Sequence, residues 1–186
     1  MTALSCWLLG GTACPVEPTC EGVRPEDGRL ELGQGREAMT SLGEGATLQV
    51  ERGSQGGMHV WASLWAEGIA PGPDDLWAGL RDGNLPLVGF VLSSDLGVHT
   101  PDNERRSVLE RSGSGYEIVG SLVVFEHFPE LPDNWTDLDY AEVEAEMEER
   151  DHQLLVSLQD ACGTTLTDSR TVRLSFPPRP GDDDEG

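Results

Sequence analysis

The chain has 186 residues and a formal net charge of −22 at pH 7, because 34 acidic residues outweigh 12 basic ones, all of them arginine. Nucleic-acid backbones and anionic lipids attract clustered cations, so this charge excludes binding to nucleic acid and docking on lipid through a basic patch. The length predicts one domain with a flexible flank at one or both ends. The absence of lysine, together with 23 glycines, is typical of a GC-rich coding genome.

The beginning of the chain is typical of an export signal. Residues 1–13 carry no charged side chain, contain an apolar run and end in small residues just before Cys14. A secretory signal combines such a run with small residues at its cleavage site, although the usual positively charged start is missing here. Beyond this stretch, no window approaches the apolar length of a membrane helix.

The segment from Leu8 to Cys14 resembles the lipobox of bacterial lipoproteins, in which a small residue precedes the cysteine and follows a leucine-rich run. In that family the cysteine is acylated on its sulfur and becomes the new N-terminus. The resemblance implies that residues 1–13 are a signal peptide, that Cys14 is lipidated and that the membrane is contacted through this anchor only. Gly11 departs from the pattern, since an aliphatic residue is commoner there. The alternatives are a buried N-terminal strand with a structural cysteine and secretion without lipid.

The remaining cysteines predict a disulfide. Cys6 lies in the expected signal and Cys14 at the lipobox, which leaves Cys20 and Cys162. An even remainder in an exported protein favours a bond between them. The bond would close a loop of roughly 140 residues and stabilise the fold by about 4–5 kcal/mol on a chain-entropy estimate. Two free thiols, which a cytosolic location would favour, are the alternative.

The body of the chain has the pattern of a β protein. Residues 14–28 are rich in proline and acidic side chains and predict a linker. Beyond them, alternating or apolar runs are separated by Gly, Pro, Asn and Asp, as in sheets with tight turns. The predicted strands are residues 29–33, 46–52, 58–67, 85–93, 107–110, 116–128, 153–159 and 171–176, and the last two are expected to pair. Seven or eight strands with little helix predict an all-β fold, an antiparallel immunoglobulin-like β-sandwich, over residues 29–178.

Two acidic segments have other patterns. In residues 138–151, Val143, Ala145 and Met147 alternate with glutamates, which is the period of a strand, and the apolar residues are too sparse for a wide helical stripe. We expect an acidic strand or an exposed connection here, with a helix as the alternative because alanine and methionine are good helix formers. Residues 179–186 are predicted to be a disordered acidic tail.

The segment from Gln55 to Trp61 is the most distinctive motif. It has the sequence Gln-Gly-Gly-Met-His-Val-Trp and continues into the predicted strand at 58–67. Thioether and imidazole ligands suit copper, but Met58 and His59 are adjacent on a strand and point to opposite faces. The structural interpretation is a turn, a core methionine and a surface histidine beside a packed tryptophan. We therefore assign no metal ligand.

This motif, the lipobox-like start and Cys162-Gly163 together resemble uncharacterised lipoproteins of GC-rich bacteria that share a Gln-Gly-Gly-x-His-Val-Trp segment. The resemblance covers three short patches of the chain. It implies a secreted all-β domain with no known activity, so no functional residue is carried over.

Other possible metal ligands are scattered along the chain. His99, His127 and His152 would need to gather with His59 to hold a metal ion. The oxygen donors from Asp133 to Asp139 are close in sequence, but they lack the spacing, central glycine and terminal glutamate of an EF-hand loop. Solvated acidic groups are the simpler interpretation.

No sequence feature marks a catalytic site, and we predict that the chain is not an enzyme and has no cofactor. A phosphate loop and a dinucleotide fingerprint are absent, and Arg111 occupies the first glycine position of the nearest candidate nucleophile elbow. We expect a lipoprotein anchored in the bacterial cell envelope, periplasmic or surface-exposed, whose sandwich is a binding or structural module for an unknown protein or glycan. The alternatives are a periplasmic copper- or calcium-binding domain that uses His59 and a hydrolase with an unmarked carboxylate pair.

Overall fold

The structure, a computed structural model, describes residue 20 and residues 25–53, 57–100, 104–125 and 137–178. Within these residues the chain forms twelve strands, two α-helices and a 3-10 turn at Pro25–Asp27. The strands are β1 (Arg29–Gln34), β2 (Thr40–Ser41), β3 (Ala46–Gln49), β4 (Glu51–Arg52), β5 (Met58–Glu67), β6 (Leu87–Ser94), β7 (Gly97–Val98), β8 (Arg105–Arg106), β9 (Glu110–Ser112), β10 (Gly115–Val124), β11 (His152–Gln159) and β12 (Thr165–Ser175). The helices are α1 (Leu76–Asp82) and α2 (Asp137–Glu149).

The strands form two sheets that pack as a sandwich. The first sheet has the order β2–β1–β5–β10–β9, with β4 also against β5, and the second has the order β3–β12–β11–β6–β7, with β8 also against β6. All pairs are antiparallel except β3 and β12, which run parallel. The orders β1–β5–β10–β9 and β6–β11–β12 match the A–B–E–D and C–F–G sheets of the immunoglobulin fold. The predicted fold class is therefore confirmed.

The core lies between the sheets because the long strands bury alternate residues. Every second residue of β5 from Met58 to Ala66 is at most 2% exposed, and the same holds for β11 from His152 to Leu158. The predicted strand at 58–67 is confirmed at both ends. Of the twelve strands, seven have four or more residues, as the sequence predicts; the other five have two or three residues, too few for a periodic pattern.

Three predicted strands need correction. The run at 46–52 divides at Val50, because β3 pairs in the second sheet and β4 in the first, so the chain turns a corner between sheets. The predicted edge strand at 107–110 is wrong, since residues 107–109 form no strand and β8 and β9 lie on either side. The last strand begins at Thr165 and not at residue 171, so residues 165–172 pair with β11 along its whole length.

The expectation of a strand or exposed connection at 138–151 is wrong, because α2 occupies most of this stretch. Met147 is 1% exposed and Glu144 is 6% exposed, whereas Ala145 is exposed. Arg52 on β4 accounts for the inward glutamate, because its Nη2 lies 2.7 Å from the Glu144 carboxylate. A glutamate that is paired with a cation can face inward. The buried residues Glu144 and Met147 are therefore three positions apart, which is a helical spacing, and the alternation of Val143, Ala145 and Met147 in the sequence conceals it.

Several predicted segments lie outside the described residues. These are the signal at residues 1–13, most of the linker at 14–28 and the tail at 179–186. Within the described part of the chain, no helix is both long enough and apolar enough to cross a membrane.

The sandwich has two distinct ends. At one end, the start of β1 pairs with the end of β5, and the connection after β5 contacts the turn between β11 and β12 through an Ala161 N–H to Ala70 C=O hydrogen bond of 3.0 Å. We call this the cysteine end, because the turn contains Cys162. The opposite end, here called the far end, holds the start of β5, the end of β10 and the start of β11.

Candidate functional site

The described part of the Gln55–Trp61 motif forms a turn followed by a strand. The Gly53 N–H donates to the Gly57 C=O at 2.7 Å and closes the connection between β4 and β5, while residues 54–56 lie outside the described residues. Met58 is 2% exposed and belongs to the core, whereas His59 lies on the outer face of the first sheet. The two side chains therefore occupy opposite faces, which removes them as joint ligands of one ion.

His59 and Trp61 are half-buried and form the centre of a cluster on the outer face of the first sheet, at the far end. Their rings meet edge to face with centroids 5.3 Å apart. The guanidinium carbon of Arg36 lies 5.2 Å from the Trp61 ring centroid, in a cation–π arrangement. The Glu51 carboxylate is 3.6 Å from His59 Nε2.

Two aliphatic side chains of β10 extend this cluster. Leu122 pairs with Trp61 and Val124 pairs with His59, so all four lie on the same outer face. Leu122 is 40% exposed and Val124 is 37% exposed. We call the whole cluster the far-end patch; it consists of Arg36, Glu51, His59, Trp61, Leu122 and Val124.

The loop that carries Arg36 is held on the sheet by a buried serine. Ser63 Oγ donates to the Gly35 C=O at 3.0 Å and accepts from the Gly120 N–H at 3.3 Å. Gly120 lies in the irregular part of β10 between Ile118 and Ser121 and has a φ of +69°. A Cβ atom at this position would clash with the Arg36 C=O. The irregularity therefore leaves space for the loop, and the loop positions Arg36 over Trp61.

A pair of histidines lies in the interior at the same end. His99 and His152 are fully buried, with ring centroids 5.4 Å apart. His152 Nε2 lies 2.8 Å from the Met147 C=O of α2, and His99 Nε2 lies 2.8 Å from Ser94 Oγ. Burial lowers the pKa of His152 below its ordinary value of 6.5, although the hydrogen bond to Met147 acts in the opposite direction.

The sequence gives no expectation of a metal-binding histidine cluster, and among the described histidines only two meet. His99 and His152 meet in the core, His59 contacts Trp61 on the outer face of the other sheet, and His127 lies outside the described residues. Across the described ranges, no three His, Cys, Asp or Glu residues are grouped so that they could hold a metal ion. The acidic run from Asp133 begins outside those ranges. The metal-binding alternative therefore gains no support from the described residues.

The disulfide joins Cys20 to Cys162, the pair expected from the sequence, with a Cα–Cα distance of 5.8 Å. The pair lies 142 residues apart in the sequence. A disulfide of this kind fits an oxidising, extracytoplasmic environment. Cys14, the expected lipidation site, lies outside the described residues.

Asp160 organises the turn that carries Cys162. Its side chain accepts backbone N–H bonds from Ala70 at 3.0 Å, Cys162 at 2.9 Å and Thr164 at 2.8 Å. The residue is 4% exposed, so these three bonds replace water around a buried carboxylate. Asp160 thus fixes the disulfide turn and joins it to the connection after β5.

Sequence reasoning missed the roles of Asp160, Arg36 and Glu144. An aspartate at the start of a turn often accepts backbone N–H bonds from the residues that follow it. The bonds of Asp160 to Cys162 and Thr164 could therefore have been predicted. The bond of Asp160 to Ala70 could not, because the two residues are 90 positions apart. Arg36 and Glu144 carry no local signal, since each acquires its role from a residue on a distant strand.

No protein-family model matches this chain, and no curated protein matches it in sequence. We therefore infer its function from the chemistry and placement of its own residues.

Proposed function

We propose that the chain is a lipoprotein of the bacterial cell envelope, anchored through Cys14, whose sandwich is a binding module for another envelope component. The observation that carries this proposal is the Cys20–Cys162 disulfide. It supports an oxidising compartment, and it ties the segment that directly follows Cys14 to the cysteine end of the sandwich. Cys14 is not used by this disulfide, so its sulfur is available for acylation.

The anchor is tested by labelling cells that express the chain with a fatty acid that carries a reporter group. We expect the wild-type chain to take up the label and to remain with the membrane fraction. Cys14→Ser should lose both properties, because the sulfur that carries the lipid is removed. Cys6→Ser is the matched control, since this cysteine lies in the expected signal and should leave the label unchanged. Label that persists in Cys14→Ser would contradict the proposal.

The far-end patch is the surface that best supports binding. Tryptophan and arginine are enriched among the residues that dominate interface energies, and Leu122 and Val124 add exposed apolar area around Trp61.

The patch is also well placed for an anchored protein. His59 and Glu67 lie eight residues apart on β5, which is about 26 Å along a strand. Glu67 is at the cysteine end, where the anchor segment attaches, so the patch is separated from the anchor by most of the length of the sandwich. A domain tethered at its cysteine end therefore directs the patch away from the membrane.

Binding at the patch is tested by site-specific photo-crosslinking in intact cells. A crosslinker at Leu122 should give a defined adduct that disappears when Trp61→Ala is added, because the ring is the centre of the patch. Leu155 is the matched control position, since it is 38% exposed but lies on the second sheet. Sedimentation with purified cell-wall glycan separates a glycan from a protein partner. Equal adducts at both positions, unaffected by Trp61→Ala, would contradict binding at this surface.

A further inference from the structure

Helix α1 exposes a compact apolar surface. Leu76 is 41% exposed, Trp77 is 77% exposed and Leu80 is 46% exposed. Positions 76 and 80 are one turn apart and position 77 adjoins both, so the three side chains share one side of the helix. We call them the α1 patch. Clustered apolar side chains that leave a tryptophan this exposed mark a contact site and not a packed core.

The α1 patch is held in place by the structure around it. Asp75 caps the helix by accepting the Ala78 N–H at 2.6 Å, and Gly83 ends it in the left-handed conformation with φ of +72°. On the adjoining face, Gly79 is buried against Leu85, and a Cβ atom there would clash with that side chain. The helix therefore packs through Gly79 and presents its larger apolar side chains outward in a fixed orientation.

The α1 patch lies at the cysteine end of the sandwich. Pro73, which precedes the helix, packs against the position of Gly79, and a Cβ atom at Gly72 would lie 3.5 Å from the Ala161 Cβ. Ala161 is the neighbour of Cys162 and donates its N–H to the Ala70 C=O. The exposed helix and the disulfide thus belong to the same connected set of loops.

We propose that the α1 patch inserts into the membrane interface beside the lipid anchor, as a second contact with the bilayer. This inference rests on the proposed lipidation of Cys14. Cys14 precedes Cys20 by six residues, which span at most about 20 Å when fully extended. A domain of about 150 residues has a radius of gyration near 15 Å, so this tether is shorter than the domain is wide. The cysteine end therefore stays at the membrane surface.

Charge determines which lipid surface fits. Asp74 and Asp75 are exposed beside the patch, and Arg81 is already paired with Asp82. Acidic neighbours oppose anionic headgroups, so the contact comes from apolar side chains and from the preference of tryptophan for the interface. Three side chains bind a bilayer weakly on their own, but a short tether raises their effective concentration and makes weak insertion sufficient.

The test uses the full lipidated chain, purified from envelopes and reconstituted into phosphatidylcholine vesicles that carry bromine on the acyl chains. Bromine quenches tryptophan fluorescence at short range, so insertion of Trp77 reduces the emission. We expect stronger quenching in the wild type than in Trp77→Phe, and the difference between the two is the contribution of Trp77. Leu80→Ser should weaken the inserted state by about tenfold, because it removes a large apolar side chain from the contact.

Leu155→Ser is the matched control, since Leu155 is also partly exposed but lies on the outer face of the second sheet. It should leave the Trp77 contribution unchanged. The mass of the N-terminal peptide is measured on the same sample. An unmodified Cys14 overturns the proposed function and, with it, this inference. A lipidated chain with equal quenching in wild type and Trp77→Phe overturns the inference alone, as does a dimer in solution that Leu80→Ser dissociates, because a second copy would then cover the patch.

Discussion

Burial of His152 makes the contribution of this residue to stability depend on pH. Its pKa lies below 6.5 in the folded chain because burial opposes the charged form. As the pH falls below 6.5, the unfolded chain binds a proton here and the folded chain does not. The contribution of His152 to the free energy of unfolding therefore decreases between pH 6.5 and the folded pKa, and is constant above pH 6.5. The decrease is at most about 1.4 kcal/mol per pH unit.

Urea unfolding at pH 7.5 and 5.5 measures this effect. We expect the wild type to lose stability at pH 5.5 and His152→Gln to lose less. Leu155→Gln serves as the control, because Leu155 is partly exposed on the second sheet and does not titrate, and it should keep the wild-type difference. The same pH difference in wild type and His152→Gln would show that protonation of this residue is not the cause.

The ion pair between Arg52 and Glu144 is a second residue-scale feature with a measurable effect. Glu144 is 6% exposed, so removal of Arg52 takes away a cation that lies 2.7 Å from a buried carboxylate. We expect Arg52→Met alone to reduce the free energy of unfolding by about 2–3 kcal/mol, as for loss of a hydrogen bond to a charged group. The double variant Arg52→Met with Glu144→Leu should recover part of this loss. A double-mutant cycle with no coupling energy would contradict the role of the pair.

At the scale of the elements, the irregular part of β10 around Gly120 leaves space for the loop that carries Arg36 into the far-end patch. Gly120→Ala places a Cβ atom against the Arg36 C=O at a φ of +69°. Gly113 is the matched control, because its φ is +61° and a Cβ atom there meets open space. We expect Gly113→Ala to lose about 1 kcal/mol from backbone strain alone, and Gly120→Ala to lose more from the added clash.

The loss of stability in both variants is measured by urea unfolding, and the Leu122 crosslink reports on the patch. Gly120→Ala should weaken this crosslink, since the loop that carries Arg36 must move. If the two variants are equally stable and crosslink equally, Gly120 does not position the loop.

The predictability of each element from the sequence depends on where its stabilising contacts come from. Long strands such as β5 were predicted with correct bounds because one buried face imposes a period of two on their own residues. The short strands β4 and β8 carry no such period and exist because a neighbouring strand offers them hydrogen bonds. For α2, the alternating glutamates indicated a strand. Glu144 faces inward in the helix because the distant Arg52 pairs with it, and the sequence pattern does not indicate this contact. For the far-end patch, the sequence pattern indicated that His59 and Trp61 share one strand face. It did not indicate Arg36, because a loop brings that residue to them.

At the scale of the whole molecule, the disulfide between Cys20 and Cys162 stabilises the sandwich. It closes a separation of 142 residues, which a chain-entropy estimate equates with about 4–5 kcal/mol. We expect a reductant to lower the free energy of unfolding of the wild type by that amount, which lowers its urea midpoint in proportion. The double variant Cys20→Ser with Cys162→Ser should unfold at the reduced midpoint with or without reductant. A wild-type midpoint that does not respond to the reductant would contradict a stabilising role.

The two ends of the sandwich carry different features. The cysteine end holds the Cys20–Cys162 disulfide and the exposed helix α1, and the far end holds the patch around Trp61. Three glutamates of α2 face the solvent; they are Glu142, Glu148 and Glu149. This arrangement suits the proposed anchored binding module, in which Cys14 is the point of attachment.

The mass of the N-terminal peptide of the mature chain, purified from its own envelope, tests this account most directly. The account predicts a peptide that begins at Cys14 and carries the added mass of acyl groups on that cysteine. A peptide that begins upstream of Cys14, with an unmodified thiol, would contradict it.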